Sequence, residues 1–141
     1  MKTYNADSYK KSQVETADQL SLILMLYDRA ISSIEKAKEE ISEKKYEEKG
    51  NLLTKVKNIV FELLASLDKD KGGEIASRLS QLYDFVIHEI TDAEMNLNTK
   101  ALDNAKGILS ELRNSWDSIR NNPKVEYNNT DNTKIEIDLS G

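Results

Sequence analysis

The stretch Lys71-Gly-Gly-Glu-Ile-Ala76, continuing into Leu79-Ser-Gln-Leu-Tyr-Asp-Phe85, joins a pair of glycines to an apolar helical pattern. Two consecutive glycines accept the left-handed or strained backbone of a tight turn between helices. The pattern therefore predicts a turn over Asp68–Gly73 and a third helix from about Glu74 to Asn96. Its apolar stripe comprises Ile75, Leu79, Leu82, Tyr83, Val86, Ile90, Ala93 and Leu97, and Phe85 and Ile87 widen the stripe on opposite sides.

The first helix of the chain is apolar on more than one side. Thr16-Ala-Asp-Gln19 fits a capping box, which predicts a helix from Thr16 to about Ile41. Its core stripe consists of Leu20, Ile23, Leu24, Tyr27, Ile31 and Ile34. At about 100° per residue, Leu22 and Met25 point away from that stripe. They require a cover, which could be the chain's own N-terminal arm, a second subunit or a partner, unless this half of the helix lies deep among its neighbours.

The second helix is predicted between a charged turn over Ser42–Gly50 and about Leu67. A wide apolar face indicates that the helix packs in a core. That face is formed by Leu52, Leu53, Val56, Ile59, Val60, Leu63, Leu64 and Leu67. Phe61 lies off it, and is either a contact residue or a lone surface apolar residue.

The fourth helix is predicted to begin after Asn98, a favourable N-cap, and to end before Pro123, because proline disfavours a helical residue ahead of it. Gly107 costs about 1 kcal/mol in a helix relative to Ala, which indicates a close helix crossing. The single apolar face contains Leu102, Ala105, Ile108, Leu109, Leu112, Trp116 and Ile119.

Two terminal segments flank these helices. Residues 1–15 show no sustained period and are interpreted as an arm, either frayed or docked as a peptide. Residues 123–141 are rich in Asn, Asp and Thr, with one apolar alternation over Ile135–Leu139, and form a tail that is either flexible, which we favour, or docked in a groove. The predicted fold is an all-α, antiparallel four-helix bundle over residues 16–122, with an N-terminal arm and a flexible C-terminal tail.

Composition excludes several classes of function. The 141 residues are enough for one domain, and they carry a net charge of −5 without a basic stripe, which argues against a nucleic-acid partner. The longest apolar run, Leu22–Tyr27, is far shorter than the roughly 20 residues that span a bilayer, and the first fifteen residues are too polar for a signal peptide. We expect a cytoplasmic protein without membrane insertion.

The sequence gives little support to catalysis or to a cofactor. Asp84, His88 and Asp92 share one helical face and are the best metal-like set, but without ligands from a second element a polar helix face explains them better. Neither a nucleophile elbow nor a phosphate-binding loop is present. The excess apolar surface on the first three helices is typical of a binding protein instead.

Four co-linear motifs resemble one known family. The glycine stretch with Leu79–Phe85 looks like the hallmark of the FliS family of flagellin-specific export chaperones. The other three motifs are Tyr9 with Gln13-Val14 and Thr16-Ala17; Leu24-Met-Leu-Tyr-Asp28 with Ala30-Ile31; and Gly107-Ile-Leu-Ser-Glu-Leu112 with Trp116. The similarity covers about Tyr4 to Ile119 in the same order.

The resemblance implies a non-enzymatic bacterial chaperone without a cofactor. Such a protein binds the disordered C-terminal segment of flagellin, prevents premature polymerisation and delivers flagellin to the flagellar type III export gate, and it can form a homodimer without its client. The implied flagellin-binding groove comprises Leu22, Met25, Leu26, Phe61, Tyr83, Phe85 and Ile87. The implied arm for docking on an export-gate component contains Tyr4, Tyr9 and Val14. The alternatives are a metal-binding bundle on the Asp84 face and a self-associating structural bundle.

Overall fold

Four antiparallel helices joined by short connections make up the structure, a computed structural model that describes the backbone of residues 5–121 and the side chains of residues 18–121 except residue 69. The all-α bundle is confirmed. Its elements in chain order are α1 (Asn5–Ser42), α2 (Tyr46–Ala65), α3 (Lys69–Asn96) and α4 (Thr99–Asn121). None of these helices is long and apolar enough to cross a membrane.

Each helix packs against two neighbours around a single core. α1 contacts α2 and α4, and α3 contacts the same two helices, so α1 and α3 occupy opposite corners. The largest fully buried side chains come from all four helices, and they are Tyr27, Ile34, Leu53, Val56, Val60, Val86, Ile90, Leu102 and Leu109. Because every helix contributes, the core is continuous across the bundle.

The first helix begins earlier than predicted. It starts at Asn5, so the predicted capping box at Thr16 lies inside the helix. Residues 5–15 contain neither glycine nor proline, and nothing in their chemistry forces a helix to stop. The division into arm, bundle and tail remains a prediction.

The connection between α1 and α2 is also shorter than predicted. Lys44 adopts the left-handed region (φ 60°), and the Lys45 N–H donates to the Glu40 carbonyl at 2.8 Å, a helix-ending motif that needs only a few residues. The charged stretch predicted as a turn up to Gly50 is therefore mostly the first turn of α2, where Glu47 and Glu48 complement the helix dipole. α2 then ends at Ala65, slightly before the predicted Leu67.

The glycine turn is confirmed as a break. The Asp68 side chain caps the first turn of α3 by accepting from the Lys71 N–H at 3.1 Å. Gly73 then leaves the helical region (φ 55°, ψ −128°), a conformation that glycine adopts without strain. The regular part of α3 begins after Gly73, as the sequence predicted.

Two residues of the predicted α3 stripe are exposed. Leu82 is exposed because it sits at the edge of the stripe, about 100° round the helix from Tyr83. Leu97 is exposed because it is the left-handed C-cap of α3, with φ 53°, and its side chain leaves the helical direction.

The fourth helix begins and ends as predicted, but its glycine has a different setting. The Asn98 side chain accepts from the Ala101 N–H at 3.2 Å, which confirms the cap, and α4 ends at Asn121 before Pro123. The close helix crossing predicted at Gly107 is wrong for the described residues, since Gly107 is exposed and an added Cβ would meet no atom within 4 Å.

Candidate partner-binding surface

Large apolar side chains remain on the outside of α1, α2 and α3. Isolated surface apolar residues are ordinary, but several on three helices of a small bundle indicate a contact surface. The exposed large hydrophobic residues are Leu22, Met25, Tyr46, Phe61, Leu82, Phe85, Met95 and Leu97. Four of them, Leu22, Met25, Phe61 and Phe85, were singled out from the sequence as surplus to the core.

The outer face of α1 carries the first of these side chains. Leu22 is 49% exposed and Met25 is 44% exposed, whereas Leu24 and Tyr27 between and beyond them are buried. The predicted direction of Leu22 and Met25, away from the core stripe, is confirmed. Leu26 is half-buried and packs against the core, so it offers less surface than its two neighbours.

A groove of about 440 Å³ runs between the outer faces of α1 and α4. Met25 lies in it, next to polar and charged side chains of both helices. The lining residues are Ser21, Leu24, Met25, Asp28, Arg29, Ser32, Arg113 and Arg120. The groove therefore combines an apolar patch with three arginines and one carboxylate. The resemblance did not point to these arginines, and the spacing along α4 alone could not show that they face α1.

Ion pairs connect α1 and α4 along this groove. Arg113 Nε lies 2.9 Å from Asp28 Oδ1, and this hydrogen bond raises the pKa of the Arg113 guanidinium. On the same side of α4, Arg120 pairs with Asp117 at 3.0 Å. Farther along the two helices, Lys106 pairs with Glu35, whose pKa is lowered by the hydrogen bond from that lysine.

Phe61 lies on a different edge of the bundle. It follows Lys57 by one helical turn, and Lys57 Nζ is 2.6 Å from Glu94 Oε1 on α3, so Phe61 flanks the seam between α2 and α3. Met95, next to Glu94, is 76% exposed and was not singled out from the sequence. At about 100° per residue, Met95 lies about 160° from Ala93, on the side of α3 opposite the stripe, so its spacing alone could have indicated its exposure.

The three α3 residues expected in the groove have different surroundings. Phe85 is exposed, and Ile87 is half-buried against the core. Tyr83 is only 2% exposed, and its hydroxyl is hydrogen-bonded to the hydroxyl of Tyr27. As packed in this structure, Tyr83 has no surface for a partner, and its evident contact is with α1.

The Tyr27–Tyr83 pair is a buried polar link between opposite corners of the bundle. Burial raises the pKa of the Tyr27 phenol to about 12, while hydrogen bonds with the side chains of Tyr83 and Trp116 oppose this shift. Burial also raises the pKa of Tyr83, reinforced by Tyr27. Both phenols are therefore neutral near pH 7. The pair can hold α1 and α3 in register, because each hydroxyl lost would leave its partner unsatisfied.

The metal-like set on α3 does not form a cluster. Among the side chains that the structure describes, no group of three or more His, Asp or Glu residues could hold a metal ion. Asp92 instead accepts hydrogen bonds from Asn96 at 2.6 Å and Asn98 at 2.8 Å, and the bond from Asn96 contributes most to lowering its pKa. Asp92 therefore helps to order the end of α3.

The predicted docking arm cannot be placed. Tyr4 lies outside the described residues. Tyr9 and Val14 lie on the N-terminal part of α1, but their side chains are outside the described ones. The role of these three residues stays a prediction.

Comparison with known proteins gives one consistent result. A family described as flagellar protein FliS matches residues 1–123. The flagellar secretion chaperone FliS of Salmonella typhimurium is 36% identical over 118 residues, which cover 83% of this chain and 86% of the relative. The protein of the same name from Vibrio cholerae is 31% identical over 134 residues, covering 92% and 96%. That from Bacillus subtilis is 28% identical over 109 residues, covering 77% and 80%.

Proposed function

This chain belongs to the flagellar protein FliS family of flagellar secretion chaperones, and we propose that it binds the disordered C-terminal segment of flagellin. In this proposal it prevents premature polymerisation of flagellin in the bacterial cytoplasm and delivers it to the flagellar type III export gate. The work is done by contact, without a catalytic step or a cofactor.

The outer face of α1 is the observation that carries the proposal. Leu22 and Met25 are both exposed on a helix whose other side buries Leu24, Tyr27 and Ile34, so α1 has two apolar sides and the bundle covers only one. A client segment that folds into an amphipathic helix can bury such a face. Phe61 and Phe85 extend the available apolar surface to α2 and α3.

The size of the surface suits a client that folds on binding. A disordered segment loses conformational entropy when it becomes ordered, so it must bury a large area to bind stably. Apolar side chains on three helices offer contacts that a wrapping segment could make in succession. Tyr83 would support this surface from within, through its hydrogen bond with Tyr27.

Delivery to the export gate is proposed for the N-terminal segment. Tyr4, Tyr9 and Val14 are the residues proposed to contact an export-gate component. In the absence of flagellin, a homodimer is proposed, because two copies can bury exposed apolar side chains against each other.

A pair of charge substitutions tests the client site. Gel filtration of the protein with a peptide of the C-terminal segment of its own species' flagellin should show a one-to-one complex. Leu22→Lys together with Met25→Lys should abolish that complex and leave the helical circular dichroism unchanged, because both side chains are already exposed.

The matched control is Asn104→Lys together with Ser115→Lys, which adds the same charge at exposed polar positions of α4, on the side of that helix away from Arg113. This control should keep the complex. Failure of the unaltered protein to bind the peptide would refute the proposal, and loss of helicity in the α1 variant would show that its outer face is structural. The proposed homodimer is tested by the mass of the protein in solution without the peptide, which should be twice that of one chain.

A further inference from the structure

The C-terminal tail contains a short segment with two chemically different sides. The family match ends at residue 123, so this segment lies beyond it. Ile135, Ile137 and Leu139 alternate with Glu136 and Asp138. In an extended chain, successive side chains point to opposite sides, so the three apolar residues would share one side and the two carboxylates the other. Such a segment suits a narrow groove with an apolar floor and basic rims.

The groove between α1 and α4 has that chemistry. Met25 supplies apolar surface above the buried Leu24. The three arginines, Arg29, Arg113 and Arg120, outnumber the one carboxylate of the lining, although Arg113 and Arg120 each pair with an aspartate. Arg29 forms no ion pair with any residue that the structure describes. The long arginine side chains can lie along the groove and place their charges at its edges. An acidic and apolar strand therefore matches both features of the groove.

The tail leaves the bundle at the same place. Arg120 lies in the last turn of α4, and α4 ends at Asn121. The groove thus reaches to within one residue of the point where the tail begins. Thirteen residues separate Asn121 from Ile135. At about 3.3 Å per extended residue they span up to about 40 Å, which is more than enough to turn back along the groove.

From this match we propose that the segment Lys134–Leu139 docks in the α1–α4 groove of its own chain. Ile135, Ile137 and Leu139 pack towards Met25, and Glu136 and Asp138 interact with the arginines at the rims. The tail then occupies surface that the flagellin segment would use. This competition rests on the proposed function, whereas the docking itself does not.

Nuclear magnetic resonance of the full-length chain tests the docking directly. The reference is a full-length variant with Ile135→Ser, Ile137→Ser and Leu139→Ser. Compared with this variant, the unaltered chain should show shifted amide signals for the residues that line the groove. The backbone of residues 134–139 should also show restricted motion on the picosecond-to-nanosecond timescale in amide relaxation. Val125→Ser with Tyr127→Ser removes apolar groups elsewhere in the tail and should leave both signatures in place.

A groove variant supplies the reciprocal test. Arg29→Glu places a carboxylate beside the proposed positions of Glu136 and Asp138, and should release the segment while leaving the fold intact, because Arg29 is exposed. Identical groove signals in the unaltered chain and the serine variant would overturn the proposal. So would signals that shift elsewhere on the bundle, or that grow with protein concentration, since the latter indicate docking on a second copy.

Client binding separates this inference from the proposed function. The serine variant should bind the flagellin peptide several-fold more tightly than the unaltered chain, because no tail has to leave the groove. If neither protein binds the peptide, the proposed function fails while the magnetic resonance result still decides the docking. If docking is observed but both proteins bind equally, the competition is refuted.

Discussion

The α1–α4 seam and the α2–α3 seam are held by polar contacts of different kinds. The α1–α4 seam carries three ion pairs that lie open to solvent, and they join Asp28 to Arg113, Glu35 to Lys106, and Lys38 to Asp103. Among the side chains that the structure describes, the α2–α3 seam carries one pair, Lys57 with Glu94, whose side chains are only 24% and 20% exposed. Lys49 is buried beside it and donates to the Glu94 carbonyl at 3.1 Å.

The two seams therefore differ in how much their ion pairs stabilise the fold, and in whether the charged side chains can also interact with another molecule. Exposed ion pairs contribute little because water and salt screen them, whereas removal of one partner from a mostly buried pair leaves a charge without compensation. The charged side chains of the α1–α4 seam can therefore leave their ion pairs and bind another molecule at little cost. Those of the α2–α3 seam cannot. Below both seams lies one core, which supplies most of the stability.

Truncation in the core should have the largest effect, and should be equal at opposite corners of the bundle. Leu53→Ala on α2 and Leu109→Ala on α4 each remove a fully buried side chain. Each should lower the free energy of unfolding by about 2–5 kcal/mol, measured by urea denaturation. A small loss at one position only would mean that the core is not shared by the two seams.

High pH should weaken the contact between α1 and α3 that the hydroxyls of Tyr27 and Tyr83 form in the core. The phenol of Tyr27 has its pKa raised from 10.0 to about 12 in the folded protein, so the unfolded chain releases that proton first. The raised pKa of Tyr27 therefore adds to the free energy of unfolding. This stabilisation is complete below about pH 10 and falls by about 2–3 kcal/mol as the pH rises to about 12. Tyr27→Phe should reduce this decline in urea titrations and leave the part that is due to the buried Tyr83, whereas Tyr46→Phe, at an exposed tyrosine, should leave the decline unchanged.

Removal of the charge at Glu94 should have an intermediate effect. Glu94→Gln leaves the ammonium of Lys57 mostly buried without its carboxylate, and should lower the free energy of unfolding by about 1 kcal/mol. Urea denaturation at neutral pH measures it. Restoration of stability in the double variant Lys57→Met with Glu94→Gln would attribute the loss to the unpaired charge, and no effect of Glu94→Gln alone would contradict the distinction between seams.

Asp103→Asn should have the smallest effect of the series. It removes the partner of Lys38 on the solvent-exposed seam, where the hydrogen bond to Asp103 is the main cause of the raised pKa of that lysine. The change in thermal midpoint should be smaller than for Glu94→Gln, and it should vanish near 1 M salt, where the screening length is about 3 Å. An effect as large as that of Glu94→Gln would erase the contrast.

The outer face of α1 was predictable because direction on a helix follows from spacing. Leu22 and Met25 each lie about 100° from a neighbouring residue of a stripe that the sequence defines well, so their direction away from the core required no knowledge of the other helices. Their exposure did require it, because a neighbouring helix could have covered them. Tyr83 was not predictable in the same way. Its position fits both the stripe and a groove, and only the contact with Tyr27 on the opposite helix shows that it lies inside.

The basic groove between α1 and α4 could not be predicted from the sequence for a different reason. Arg113 and Arg120 sit on the polar side of α4, where sequence patterns do not distinguish one solvent-facing direction from another. Their joint position with Met25 depends on how α1 and α4 are rotated against each other. The earlier start of α1 was missed because a capping sequence such as that at Thr16 can also lie within a helix, and the earlier start of α2 because charged residues are as common in the first turn of a helix as in a connecting turn.

By itself, the sequence determined the helical class, the four elements, the break at Gly73, the cap at Asn98 and the family. The structural features among these depend on local chemistry: the period of apolar residues, the conformations open to glycine, and the hydrogen bonds of an asparagine side chain. The family follows from motifs that occur in the same order along the chain. Only the tertiary structure decided which helices are neighbours, that Tyr27 meets Tyr83, and that three arginines border Met25. Those relations join residues far apart in the chain, and they depend on how whole helices pack rather than on any local pattern.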